Sequence, residues 1–549
     1  MAFWTLSTKP LSNHECFVSV TAREMLANND FIWPTFNGQS RLQKTPLNYW
    51  LVAGFSKITG RVDEFTTRLP SAVFGVLSAG VIFYFVSRQF SFRIAALSVC
   101  VWVTSLGFTR YTHNGRPEMT LIFFVTLCFL SFYSAVTAQN RRWQVVCMII
   151  FWAGFALGNL AKGPVPIGMV GVPLFLYVVI FRHWKKIPSL LPVIGVFIFL
   201  AILLPWPLAI ADRCKWDLAV WKREFVDRFF GEFASGNKPF YYYLEKMFQF
   251  ILPWVVFLPM ALAAPFFNVW GKKRSAMMFY WLCFVADVVF LSVSGGKRQH
   301  YILPAMPALA ILIGVLIEDM IFARQAYTNK QSKQVLTGHI VVLVIIAVVG
   351  PLAVLIADNL NDEPLHHAKS GAELFAGACM MGAAIIVTAA IVAVLFAGDK
   401  RLGGCAAVFA GVTLLNMLSY VLFINPLNRN EPSRLFSQTM AERIPASDKL
   451  AAYEYVSNRS VHYFGREIPE IKDREQLFRH YDAGGWVVAT INHLEKLQTD
   501  SRFRKVYYQK QAERRHHRDA PGAVFHKFAA EWTDAPQRPS VTVGQPAGR

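Results

Sequence analysis

Of 549 residues, 54% are hydrophobic and only 16% charged, with a mean hydropathy of +0.35 and a net charge of +20. A soluble domain would carry roughly 25% charged residues. Here the apolar residues come instead in nearly uncharged blocks of about 17–25, the length a helix needs to cross roughly 30 Å of hydrocarbon. A soluble protein, a nucleic-acid-binding protein and a disulfide-stapled secreted domain are excluded, which leaves a polytopic α-helical membrane protein. Six of the eight cysteines lie in or beside apolar runs and no CxxC pair exists, so they read as small apolar residues, not as a metal or disulfide framework.

Residues 1–69 hold no adequate span and no signal peptide. They carry Asn13-His14-Glu15-Cys16, an amphipathic run from Thr21 to Leu26, and Arg41-Leu42-Gln43-Lys44-Thr45-Pro46. Pro46 suits the first position of a helix. Leu47, Tyr49, Trp50, Leu51 and Phe55 after it suit a helix lying in the membrane interface, with Lys44 at the level of a lipid phosphate.

Apolar blocks then predict twelve spans, at 70–87, 94–109, 119–137, 143–160, 164–181, 188–210, 247–269, 277–294, 301–322, 338–357, 372–397 and 403–424. One alternating set of short loops carries fifteen Lys or Arg, among them Arg141, Arg142, Lys185, Lys186, Lys272 and Lys273, and the opposite short loops carry six. The first set is expected on the cytoplasmic side. Residues 1–69 and 425–549 then share the non-cytoplasmic side, and the chain is expected to lack one helix before Met1. After 425 the texture changes to short β-rich runs at 448–456, 460–465, 485–492, 504–509 and 523–528 between helix-compatible stretches. The expected organisation is an outer catalytic loop with interfacial helices at 1–69, a transmembrane domain at 70–424, a soluble α/β domain at 425–534 and a disordered Pro/Gly-rich tail at 535–549.

Charged groups at membrane depth or in tight loops are the first suspects for chemistry. Arg116-Pro117-Glu118-Met119 puts Glu118 at a helix threshold, where the helix dipole would also favour an ordinary solvated carboxylate. Asn159-Leu160-Ala161-Lys162-Gly163-Pro164 puts one lysine in a turn between two spans, where a snorkelling lysine is the plainer alternative. Arg228-Phe229 and Pro239-Phe240-Tyr241-Tyr242 lie in a basic outer loop, and Gly295-Gly296-Lys297-Arg298-Gln299-His300-Tyr301-Ile302-Leu303-Pro304 opens the ninth span. Together these supply two or three carboxylates and a ring of cations. An acid/base carboxylate with cations on a phosphate leaving group is what glycosyl transfer from a lipid phosphate requires.

The order of these motifs resembles the GT-C-fold membrane glycosyltransferases that use polyprenyl-phosphate sugars, and among them the aminoarabinose (lipid A) transferases and protein mannosyltransferases. The likeness rests on His14-Glu15 followed by Arg23-Glu24-Met25-Leu26, on Gln43-Lys44-Thr45-Pro46, on Arg116 to Met119, on Lys162-Gly163-Pro164, on Arg228-Phe229 with Pro239 to Tyr242, and on Tyr301-Ile302-Leu303-Pro304. It covers residues 13–320 well and the rest by architecture. It implies a polyprenyl-phosphate sugar donor and a glycolipid or protein acceptor, in the inner membrane with the site facing the periplasm. Lys44, Lys162, Arg228 and Tyr301 would hold the donor phosphate. Glu15 would take the acceptor proton, with inversion at the anomeric carbon, while Glu118 positions Glu15 or the acceptor and His14 shares the base role.

Four residues depart from that pattern. His14 and Glu118 occupy places where the family carries aspartate. Gln43 and Phe225 replace an acidic residue and a histidine, so two ligand types for a divalent ion are missing; a bound divalent metal stays open but unfavoured, and no other cofactor is called for. A non-catalytic binder of lipid-linked sugar, a flippase and a polymerase stay open as alternatives.

Overall fold

The computed structural model describes residues 2–215, 219–227, 238–326, 371–424, 432–490, 502–508 and 521–527, with scattered positions between 331 and 345 and at 493 and 497. Arg228, most of the expected tenth span and the expected tail at 535–549 lie outside them. The chain forms two compact units. The first takes Met1–Lys9, Ala22–Pro34 and Ser40–Arg429, and the second takes Pro10–Thr21, Thr35–Gln39 and Asn430–Arg549.

Seven helices among the described residues of the first unit are long and apolar enough to cross a membrane: Glu64–Gln89, Glu118–Thr137, Arg141–Lys162, Lys273–Val293, Gln299–Ala323, Phe375–Ala397 and Arg401–Ile424. Val165–Ile180 is apolar but only 16 residues long. The chain is a multi-pass membrane protein. Glu118–Thr137 and Gln299–Ala323 are buried along almost their whole length, as expected of helices that are apolar all round and sit inside a bundle. Close approach needs small residues, and a side chain at Gly314 would meet the Ser98 backbone nitrogen at 2.7 Å.

Three expected spans, at 94–109, 188–210 and 247–269, are broken in two. Phe92–Thr104 and Leu106–Thr112 meet at 61°, Pro192–Leu203 and Pro205–Arg213 at 43°, and Tyr242–Ile251 and Trp254–Phe266 at 119°. Pro253 explains the last: it lacks an N–H and pushes Leu252 into an extended conformation, with ψ 140°. At the first break Ser105 leaves the helical region, with ψ 147°, and its hydroxyl caps the next helix by accepting from the Phe108 N–H at 3.3 Å.

A break inside a membrane bundle strands backbone groups that water cannot reach, and they must find protein partners. Here they do. The two breaks meet, the Leu106 N–H donating to the Leu252 carbonyl at 2.9 Å. Trp254 Nε1 donates to Thr104 Oγ1 at 3.0 Å, and Asn416 Nδ2 donates to the Thr104 carbonyl at 3.1 Å.

The second unit holds a five-stranded mixed sheet. In chain order its strands are β1 (Leu450–Tyr453), β2 (Glu470–Ile471), β3 (Trp486–Thr490), β4 (Lys505–Tyr508) and β5 (Pro521–Phe525), arranged β2-β1-β3-β5-β4. β1 pairs parallel with β2 and β3, whereas β5 runs antiparallel to β3 and β4. Both faces are covered, so β1 and β3 are apolar on both sides. Leu450, Ala452, Trp486 and Val488 pack on one face with Phe436 and Val461, and Ala451, Tyr453 and Val487 pack on the other with Leu477 and Tyr481. The run at 460–465, expected as β, belongs instead to the helix Asn458–Phe464. Its start is set by Ser457, whose hydroxyl accepts from the Ser460 N–H at 3.1 Å.

Candidate functional site

Local chemistry places each charged group in the first unit. Pro117 precedes Glu118–Thr137 with φ −73°, so Glu118 stands in the first turn, where the N-terminal dipole favours a carboxylate. The turn before it is clamped from three sides. Asn48 Nδ2 donates to the Gly115 carbonyl at 3.2 Å, Ser71 Oγ donates to the Arg116 carbonyl at 3.1 Å, and a side chain at Gly115 would meet the Thr67 carbonyl oxygen at 2.9 Å. Lys162 closes Arg141–Lys162, at the end where the dipole favours a cation, and Gly163 ends that helix with φ 69°.

The N-terminus of one helix therefore lies beside the C-terminus of the other, and the two charges pair. Lys162 Nζ donates to Glu118 Oε1 at 3.2 Å. His300 Nε2 stands 3.3 Å from the same oxygen, and Lys162 Nζ lies 5.1 Å from the centre of the Tyr301 ring. Glu118 is 4% exposed, which removes the solvated reading, and Lys162 is too enclosed to snorkel. The other carboxylate oxygen of Glu118 and the Nε of Arg116 are buried with no hydrogen-bond partner among the described residues.

Lys44 lies at the edge of this cluster. The Gly163 N–H donates to Thr45 Oγ1 at 3.1 Å, which joins the Gln43–Pro46 and Lys162–Pro164 elements. Lys44 forms an ion pair with Glu224. Pro46 precedes the helix Leu47–Thr59, in which Tyr49 is buried. Burial raises the Tyr49 phenol above its ordinary value, against the nearby Arg41, whose Nε donates to its hydroxyl at 3.3 Å.

The structure thus brings Glu118, Lys162 and Tyr301 together and ties Lys44 to them through Thr45, while Arg228 lies outside the described residues. Glu15 and His14 belong to the second unit. His14 is exposed. Glu15 is 1% exposed, and its Oε2 accepts from the Ser12 N–H at 2.8 Å while the Glu15 N–H points back to Ser12 Oγ at 3.4 Å. This reciprocal pair is a capping box at the start of the helix Asn13–Asn28. Its signal, serine three residues before glutamate ahead of an apolar run, was present in the sequence. His300 and Glu224 were not singled out there. His300 stood beside Tyr301 in a run already noted, whereas nothing in the spacing linked Glu224 to Lys44. Among the described residues no three His, Cys, Asp or Glu side chains converge to hold a metal ion.

Fold and site define a polytopic membrane protein with a buried carboxylate, paired with a lysine, at the start of a membrane-spanning helix. Residues 43–208 match the family described as Dolichyl-phosphate-mannose-protein mannosyltransferase. Over 331 residues, 57% of this chain and 58% of the relative, the sequence is 28% identical to the undecaprenyl phosphate-alpha-4-amino-4-deoxy-L-arabinose arabinosyl transferase of Pseudomonas aeruginosa (strain UCBPP-PA14). The Edwardsiella ictaluri protein of the same name is 29% identical over 306 residues, 54% of each chain. The chain thus spans little more than half the length of these relatives.

In three dimensions it is similar to ArnT from Cupriavidus metallidurans bound to undecaprenyl phosphate, with a TM-score of 0.80, 18% identity and 95% of each chain covered. The apo Archaeoglobus fulgidus oligosaccharyltransferase follows at 0.51 and 10% identity, over 89% of this chain and 67% of that one. The likeness read from the motifs is borne out, and the fold is that of ArnT.

Proposed function

We propose that the chain is an integral-membrane glycosyltransferase that moves a sugar from a polyprenyl-phosphate donor to a lipid A-like glycolipid or a protein. The observation that carries this reading is the buried Glu118 carboxylate paired with Lys162, with His300 and Tyr301 beside them, in a fold shared with a protein solved with undecaprenyl phosphate. Breaking the glycosidic bond builds negative charge on the phosphate, and cations fixed in a poorly hydrated pocket stabilise that charge most strongly. Lys162, Lys44, Arg228 and Tyr301 are assigned to the phosphate. Glu118 is assigned to orienting the acceptor.

Glu15 is assigned as the base that takes the acceptor proton, with His14 as an auxiliary, and the anomeric carbon inverts. Its hydrogen bond from Ser12 occupies one carboxylate oxygen and holds the group still. The charges of the short loops, fifteen on one side against six on the other, favour an inner-membrane protein whose site faces the periplasm.

The test is release of free polyprenyl phosphate from a labelled donor by the full chain in membranes. Wild type should release it, and Glu15→Gln should bind donor without turnover. Unchanged release by that variant removes Glu15 from the base role. Donor binding without release by wild type favours the non-catalytic binder.

A further inference from the structure

Beside the Lys162–Glu118 ion pair a ring nitrogen stands within reach of the same carboxylate oxygen. Oε1 accepts from Lys162 Nζ at 3.2 Å and His300 Nε2 stands 3.3 Å from it, while Oε2 is buried with no partner among the described residues. Lys162 is the side chain assigned above to the donor phosphate, and one ammonium group cannot neutralise two anions. If it turns to the phosphate, a carboxylate only 4% exposed loses its counter-charge, and an unpaired buried charge is strongly unfavourable.

His300 sits where a substitute must sit. It is fixed in the turn Gln299–Ala305 at the head of a buried helix, 8% exposed, with its ring edge-on to Tyr301 at 4.9 Å and tilted against Tyr111 at 6.4 Å. The neighbouring Arg298 is anchored by its N–H, which donates to the Tyr243 hydroxyl at 3.3 Å. The charged groups acting on the ring are Lys162, Glu118, Arg116 and Arg298.

We propose that His300 is a positioning residue that takes over Glu118 when the donor phosphate draws Lys162 away. Its Nε2–H keeps the carboxylate anchored through Oε1, and Oε2 stays turned to the acceptor. Two anions thus share the buried cation in sequence: carboxylate in the resting protein, phosphate in the donor complex. This rests on the glycosyltransferase reading and on the assignment of Lys162 to phosphate.

The test uses purified full-length protein in detergent, titrated with undecaprenyl phosphate, and measures turnover of a polyprenyl-phosphate sugar in parallel. Without His300, releasing Lys162 strands Glu118, so His300→Leu should weaken phosphate binding and raise the donor KM by roughly ten- to a hundredfold, the size of one lost hydrogen bond to a buried charge. The effect should fall on KM more than on kcat at saturating donor. His300→Gln retains an N–H donor near the Nε2 position and should recover most of the affinity.

In a Glu118→Gln background no carboxylate needs a counter-charge, so adding His300→Leu should change phosphate affinity by less than about twofold. Equal losses with and without the Glu118 carboxylate would mean that the ring only fills space, and the proposal would fall. So would wild-type affinity in a folded His300→Leu protein. If wild type itself fails to bind undecaprenyl phosphate, the underlying reading falls first, and that result is distinct from either of the others.

Discussion

Replacing Lys162 by methionine is the sharpest structural perturbation available. Methionine fills most of the same volume, so the change isolates charge from packing. The Glu118 carboxylate would keep only the His300 nitrogen at 3.3 Å, its Oε2 being without a partner among the described residues. Breaking a buried ion pair from one side costs about 3–5 kcal/mol. Because His300 remains, the lower end applies, about 3 kcal/mol. In Glu118→Gln/Lys162→Met the stranded charge is gone, and an imperfectly satisfied amide costs about 1–2 kcal/mol. Equilibrium unfolding of wild type, both single variants and the double variant in detergent closes the cycle. Glu118→Gln alone leaves the enclosed Lys162 without its carboxylate, at about 3 kcal/mol by the same rule, so a coupling of about 4 kcal/mol is expected, well above the ~0.5 kcal/mol scatter of independent sites. Coupling within that scatter would refute the claim that the pair is buried and mutually dependent.

Three further outcomes follow from the same geometry. Asn416→Ala strands the Thr104 carbonyl at the helix break, which should lower stability by about 1–3 kcal/mol in the same unfolding assay; a neutral result would show that another donor reaches that carbonyl. Ser12→Ala removes half of the capping box, whose N–H to Oγ distance is long at 3.4 Å, so about 0.5 kcal/mol is expected, with faster amide exchange confined to the first turn at 13–16. Asp30 accepts from the Ile32 and Trp33 N–H groups and pairs with Arg213 at 2.5 Å. Although burial opposes it, these donors hold the Asp30 carboxyl below its ordinary value. A depressed folded-state pKa contributes stability that is present above the unfolded value of about 3.9 and lost as pH falls through the folded one. Asp30→Asn should therefore lower stability at neutral pH and flatten its fall on the acid side, and an acid limb identical to that of wild type would count against the pairing.

The helices of the first unit were legible because a span is a local property. A run of apolar residues long enough to cross the bilayer can bury its backbone polar groups only as a helix, and Glu118–Thr137 or Lys273–Val293 needs no partner to announce itself. Breaks were legible only in part. Pro253 is visible as a helix breaker, but the break at Ser105 follows a sequence that could have continued helical. It persists because Leu252 and Asn416, far along the chain, supply partners for the exposed groups. At 458–464 local β character lost to a serine cap and to packing of Val461 and Phe464 against the sheet. Tertiary contacts override weak propensity in this way.

The sequence by itself determined that the chain enters a membrane, where most of its helices start, and that the charged motifs stand at helix ends, because these follow from composition and from the residues within one or two turns. Only the tertiary structure decided that Glu118 is buried, that one of its oxygens pairs with Lys162 and lies near His300 while the other meets no partner among the described residues, and that Lys44 answers to Glu224. A carboxylate at a helix N-terminus is favoured whether water or a lysine faces it. What faces it depends on which helix ends the fold brings side by side, and residues 118, 162 and 300 meet only when the whole bundle has closed around them.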